Sequence, residues 1–199
     1  MPESGKKFVI GGVETSSQIW LAPLAGVTTR PYRDFHRRMG AGLVHTEMIS
    51  AIGLSYKNEK TLFMLGDGEE EGPVALQLFG PEADVMANAA EIALRVKRFG
   101  AIEINMACPM PKVMKRCGGA SLLLNPGESS RMVSALKTFG LPVWAKIRKT
   151  DERVHPMTTE NFCAELMESG ADLLIVHGRT PAQRYEGAAD KEAVISAAG

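Results

Sequence analysis

The chain has no apolar stretch approaching the ~18–20 residues of a membrane-spanning helix. Its N-terminal segment, MPESGKKFVIGG, lacks an apolar run long enough for a secretory signal. It has no excess of either charge, since 23 basic and 23 acidic residues cancel among 199. That balance, with 45% hydrophobic residues, excludes a disordered tail and a polybasic nucleic-acid arm. Any RNA partner would need a local basic patch, because whole-protein attraction is missing. Only three cysteines occur, Cys108, Cys117 and Cys163, and no pair forms CxxC. A disulfide framework, a zinc site and thioredoxin-like chemistry are therefore unsupported. Neither a GxGxxG nor a GxxxxGK loop is present, which removes support for a Rossmann or P-loop nucleotide site. The expectation is a cytoplasmic protein with reduced thiols, no metal and no membrane association.

What is present is a recurring punctuation. An amphipathic stretch ends at glycine and a short aliphatic run follows, at Gly40, Gly100, Gly140 and Gly170. Glycine just past a helix takes the left-handed conformation cheaply, and each apolar run reads as a buried strand flanked by helices. Asn125-Pro126-Gly127-Glu128 is a helix start, with an N-cap Asn and Pro in the first turn. Val85, Met86, Ala89, Ile92, Ala93 and Val96 recur at helical spacing, which predicts a helix over about 83–98. Strands are predicted at roughly 19–22, 43–46, 74–78, 102–105, 143–147 and 173–176. No hairpin signal joins consecutive strands, and the Asp67-Gly68 turn is assigned to a loop. Six successive strand–helix units mean a parallel α/β sheet with right-handed crossovers, either doubly wound or a TIM (β/α)8-type barrel. A barrel needs eight units, so a barrel here is an incomplete one of about six.

The informative polar residues fall at the C-terminal ends of these strands, the face where parallel α/β folds bind ligands. They are Pro23, Leu24 and Ala25 after the first, Gln77 in the third, and Asn105 with Cys108 after the fourth. Lys146 and Arg148 end the fifth, and His177 with Arg179 the sixth. Lys146 and Gln77 interrupt apolar strands, where an unpaired cation or amide is costly. His177, taken alone, reads more readily as a core histidine. Cys108, between a strand exit and Pro109, can serve as nucleophile or proton donor. Cys163 lies inside a helix and reads as a small buried hydrophobe. Cys117 sits in a basic, glycine-rich loop.

The segments APLAGVTTRPYR (22–33), INMACPMPKV (104–113), GGASLL (118–123), KIR (146–148) and VHGRT (176–180) occur in the order found in one family. They resemble the motifs of the tRNA-dihydrouridine synthases, and the match runs from about residue 10 onward. The resemblance implies residues 1–199 form an FMN-binding (β/α) barrel domain. It would stop before strands 7 and 8, without the family's C-terminal helical tRNA-binding domain. It also implies reduction of uridine in tRNA to 5,6-dihydrouridine, with FMN as cofactor, NAD(P)H (NADPH) as reductant and tRNA as partner. Pro23, Leu24 and Ala25 would lie along the flavin, with Gln77 and Lys146 on its ring. Asn105 would line the pocket, and His177 would meet the cofactor near its ribityl-phosphate side. Arg148 and Arg179 would bind substrate, and Cys108 would be the proton donor. Where the family usually has Gly before this cysteine, the chain has Ala107. Alternatives are another FMN barrel acting on free pyrimidines, or an inactive remnant that binds flavin or RNA. A six-unit barrel is further expected to bind FMN poorly and self-associate through its open edges. Leu76, Ile104 and Ile175, read as interior residues, would lose cover.

Overall fold

The structure, a computed structural model, describes residues 7–66, 68 and 70–198; Asp67 of the expected Asp67-Gly68 turn lies outside them. The chain begins with strands β1 (Phe8–Ile10) and β2 (Val13–Thr15), an antiparallel pair. Their turn is Gly11-Gly12, both at positive φ (52° and 81°). This hairpin lies before the six strands expected from sequence, none of which are joined by a hairpin. A Gly-Gly pair supplies two left-handed residues, as a two-residue hairpin turn requires, but it precedes the first strand read from the periodicity.

The main sheet follows. It contains β3 (Trp20–Leu21), β4 (Leu43–His45), the short β5 (Ile49–Ser50), β6 (Val74–Phe79), β7 (Ala101–Met106), β8 (Val143–Arg148) and β9 (Leu173–His177). All pairings are parallel, in the order β3-β4-β6-β7-β8-β9, with β5 beside β6. The helices are α1 (Arg30–Arg38), α2 (Ala51–Ser55), α3 (Glu59–Met64), α4 (Ala83–Val96), α5 (Pro111–Met114), α6 (Pro126–Lys137), α7 (Thr159–Glu168) and α8 (Lys191–Ser196). A 3-10 turn spans Gly119–Leu124. The six strands expected from sequence all form, each followed by at least one helix, in an α/β fold with sequential parallel order.

The sheet curls. Trp20 on β3 and Trp144 on β8 are four strands apart, about 19 Å in a flat sheet. Their rings instead stack with centroids 5.6 Å apart and planes 2° from parallel. This is the curvature of a (β/α) barrel, here formed by six sequential strands. The convex face is apolar. Leu76, Leu78, Ile102, Ile104, Ala145 and Ile147 pack under α4, α6 and α7 against Met86, Ala89, Met132 and Phe162. Leu76 and Ile104 belong to this outer layer and are wholly buried, so they keep the cover they were expected to lose; Ile175 is half-buried on the inner face. Period 2 sends alternate residues to the two faces, so the polar side chains share the inner face with Leu43, Ala75, Ala101 and Trp144.

Helix ends agree with the sequence at most positions. Asn125 caps α6, accepting from the Glu128 N–H, and Pro126 opens that helix. Glu128 in turn accepts from the Ala83 N–H at 2.7 Å, capping α4. Gly40, Gly140 and Gly170 have positive φ. Gly100 does not: α4 ends at Val96, half-exposed, and Gly100 instead lets Pro73 approach, where a Cβ would stand 3.0 Å from its ring. The β1–β2 hairpin closes the lower end of the barrel. Trp144 Nε1 donates to the Gly11 carbonyl at 2.8 Å, and Val13 packs with Leu43, Ala75, Ala101 and Trp144. Beside β6, Glu70 accepts from buried Arg33 and Lys97 (2.6 Å for Lys97), pinning the loop before Pro73 to α1.

Candidate functional site

Above the tryptophan stack the concave face turns polar. Parallel register places Gln77 beside Glu103, Asn105 beside Lys146, and Arg148 beside His177. These side chains are spaced by two along their strands, so they share the inner face. His45 joins them from β4. All but Lys146 and His177 are buried.

Gln77, Asn105 and Cys108 are brought together by hydrogen bonds. Gln77 Nε2 donates to Glu103 Oε1, and Asn105 Nδ2 donates to Gln77 Oε1 at 3.0 Å. Asn105 Oδ1 accepts from the N–H groups of Ala107 (3.1 Å) and Cys108 (2.9 Å). The Cys108 carbonyl accepts from Ala120 N–H at 3.0 Å, so both sides of its peptide are held while its side chain stays half-buried. Ala107 is buried, with its carbonyl accepting from Arg148 Nε at 2.8 Å. Its methyl is thus housed within the fold.

Lys146 makes no hydrogen bond or ion pair among the described residues. Burial depresses its pKa, Glu103 opposes that, and Arg148 adds to it. Arg148 is itself buried, and its guanidinium addresses backbone: Ala107, Thr180 at 3.2 Å and Arg184 at 2.7 Å. It also lies 5.5 Å from the Tyr185 ring centre. It clamps the loop after β9 against the Cys108 strand. Arg179 donates twice to the Gly187 carbonyl (3.0 and 2.7 Å) and lies 3.3 Å from His177 Nε2. Burial, with Arg148, Lys146 and Arg179 nearby, lowers the His177 pKa, so the imidazole is neutral at neutral pH and Nε2 accepts from Arg179. Pro23, Leu24 and Ala25 form the turn after β3, closed by Val27 and Thr28 N–H groups on the Leu24 carbonyl (3.0 Å each). Gly26 N–H donates to Glu47, but no hydrogen bond or ion pair joins residues 23–25 to the other candidate residues. Cys163 is buried in α7, where burial pushes its thiol up to about 11; Cys117 is exposed, with φ 54°.

Two inner residues escaped the sequence reading. His45 Nδ1 lies 2.8 Å from the Leu21 carbonyl, and Nε2 lies 3.2 Å from Glu103 Oε2. Burial works against a charge on His45, but Glu103 and the Leu21 carbonyl outweigh it and raise its pKa. Glu103 carried the same signal as Gln77 and Lys146, a polar side chain in an apolar strand, and it stands two residues before Asn105.

A curled parallel α/β sheet of six sequential strands, with a row of amides and cations on its concave face, defines the protein as an incomplete (β/α) barrel. The profile of the dihydrouridine synthase (Dus) family matches residues 20–197, and the chain belongs to that family. A tRNA-dihydrouridine synthase B of Pasteurella multocida is 35% identical over 185 residues, covering 91% of this chain and 54% of that protein. The tRNA-dihydrouridine synthase B of Pseudomonas aeruginosa is 36% identical over 192 residues, covering 94% and 56%. The chain thus spans about half the length of the curated relatives it matches. Among solved structures, 2,3-dimethylmalate lyase, a PEP mutase/isocitrate lyase superfamily member, superposes with TM-score 0.51 at 12% identity. It covers 81% of this chain and 57% of that one, a likeness of fold alone. Among the described residues no helix is long and apolar enough to cross a membrane, and no group of three or more His, Cys, Asp or Glu could hold a metal ion.

Proposed function

We propose that this chain carries the reductive site of a tRNA-dihydrouridine synthase: it reduces uridine in tRNA, with FMN on the inner rows and NADPH as reductant. The observation that carries this reading is the Lys146–Gln77–Asn105–Cys108 constellation. An unpaired, half-buried ammonium stands beside two amides whose orientations are already fixed, and a half-buried thiol closes the row. This donor set fits a flavin ring edge rich in carbonyls and ring nitrogens. Gln77 and Lys146 would hold that edge, Asn105 would line the pocket, and neutral His177 with Arg179 would face the cofactor's outer portion. When bound, flavin supplies hydride to one carbon of the uracil 5,6 double bond.

The chain's own residues do the rest. Cys108 delivers a proton from Sγ to the neighbouring carbon. Asn105 and Ala120 fix the Cys108 peptide, so the thiol swings from a stationary backbone. Arg148 serves substrate indirectly, by holding the 180–184 loop beside the cysteine. Lys112, Lys115 and Arg116, all exposed just past Cys108, form the local basic patch an RNA substrate needs.

The test is Cys108→Ala in a catalytically active form of the protein. Flavin binding and NADPH oxidation should persist while dihydrouridine formation falls to background, with Cys163→Ala as a control that keeps turnover. Loss of flavin on Cys108→Ala, or survival of uridine reduction, overturns the assigned role. Faster turnover of free uracil than of tRNA would redirect the substrate to free pyrimidines.

A further inference from the structure

The buried groups beneath the site form a chain in which every donor and acceptor can be assigned. The Leu21 carbonyl only accepts, so His45 Nδ1 carries a hydrogen. His45 Nε2 then faces Glu103 Oε2 at 3.2 Å, and neither atom has a hydrogen-bond partner among the described residues. With neutral imidazole and ionised carboxylate, two acceptors would confront each other in a buried site. A proton between them removes that conflict. Glu103 Oε1 takes the Gln77 amide N–H, which turns Gln77 Oε1 to Asn105 and Asn105 Oδ1 to the backbone of Ala107 and Cys108. Reversing Gln77 would oppose like groups at two contacts, and reversing Asn105 at three.

The other groups facing the pair are few. Lys146 on β8 is the second cation and works against charge on His45. The stacked Trp20 and Trp144 rings lie on one side of the imidazole, centroids at 6.4 and 5.9 Å, and add no charge to its surroundings. We propose that His45 and Glu103 are positioning residues, an imidazolium–carboxylate pair that sets the direction of the Gln77 and Asn105 amides and through them fixes the Cys108 backbone. The pair leaves one N–H on each amide uncommitted, so the inner rows offer donors and select a ligand edge made of acceptors. The catalytic meaning of this role rests on the function proposed above; its structural content does not.

The experiment uses the whole chain without added flavin, labelled with 15N-histidine and uniformly with 15N, and His45→Gln identifies the His45 signals. At neutral pH both ring nitrogens of His45 should be protonated. Glu103→Gln should leave Nδ1 protonated and turn Nε2 into an acceptor. Its side-chain amide can donate there while its carbonyl still takes Gln77, so Cys108 amide protection should stay at the parent level. Glu103→Leu removes the anchor, and Cys108 amide exchange should accelerate about tenfold, the ratio for loss of roughly one hydrogen bond. An unprotonated Nε2 in the parent at neutral pH, or parental Cys108 protection in a folded Glu103→Leu, overturns the proposal. Should Glu103→Leu fail to fold, the parent and Glu103→Gln histidine spectra still decide it. No readout involves flavin, so failure to bind FMN would count against the proposed function and leave these results standing.

Discussion

At the scale of single residues, the inner face concentrates charge where solvent is scarce, and its titration has a definite sign. The folded pKa of His45 is raised above its ordinary 6.5. Its contribution to stability is therefore fully present below about 6.5 and is lost as pH rises through the higher folded value. Lys146 acts in the opposite sense, because its folded pKa is lowered: stability rises with pH between that value and the ordinary 10.5. Urea denaturation at a series of pH values should show parental stability falling relative to His45→Gln as pH rises above about 6.5. Parallel curves for the two proteins would remove His45 from the account. A second expectation concerns Lys146→Met, which keeps the apolar stem and removes the cation. Flavin fluorescence titration should show affinity weakened about ten- to a hundredfold, the worth of one charge-assisted hydrogen bond, with little change in the denaturation midpoint. Equal affinities would make the lysine a structural residue.

At the scale of elements, the Cys108 loop depends on a backbone conformation that only glycine adopts without strain. Gly119 has φ 60°, and a Cβ there would sit 2.6 Å from the Cys108 carbonyl oxygen and 2.9 Å from Val113. Gly119→Ala should therefore push the cysteine peptide away from Ala120, destabilise the fold by about 1–3 kcal/mol and depress turnover more than flavin binding. Thermal melting and a flavin titration on the same variant check both halves. Much at this scale was legible. Strands β4, β6, β7, β8 and β9 stood out because their convex-face residues are uniformly aliphatic, and the Asn125 cap was readable from side-chain chemistry alone. What the sequence hid were features made by distance. Glu103 and His45 are separated by two other strands' worth of chain, and neither has a local partner to advertise it. Nothing local to Arg148 reveals that carbonyls from residues 107, 180 and 184 converge on it. Gly100 matched the helix-end pattern, yet its reason is the close approach of Pro73.

At the scale of the molecule, the parallel order runs from β3 to β9 among the described residues, with each of those strands paired on one side. β9 is half-exposed along its whole length, Leu173 to His177. Such an edge offers unpaired N–H and C=O groups to another chain. Sedimentation at increasing protein concentration should show self-association, and a lysine on the convex side at Leu174 should reduce it by placing charge on that edge. A monodisperse monomer at all concentrations would mean the loop from Gly178 to Asp190 shields the strand well enough. The overall class was readable because six strand–helix repeats leave few topologies. That the upper inner face is polar was readable only in part: Gln77 and Lys146 showed the alternation, while Glu103 and His45 went unread.

The stacked tryptophans have a use as an optical instrument. Trp20 and Trp144 are the only two in the sequence, and they lie face to face directly under His45. All indole emission from this protein therefore originates at one spot, the floor of the site. A protonated imidazole quenches indole more strongly than a neutral one, so the emission should brighten as His45 loses its proton. A yellow cofactor seated above would accept the excitation energy and dim it. The chain thus carries a built-in fluorimeter, needing no label, for the charge beneath the pocket and for what enters it.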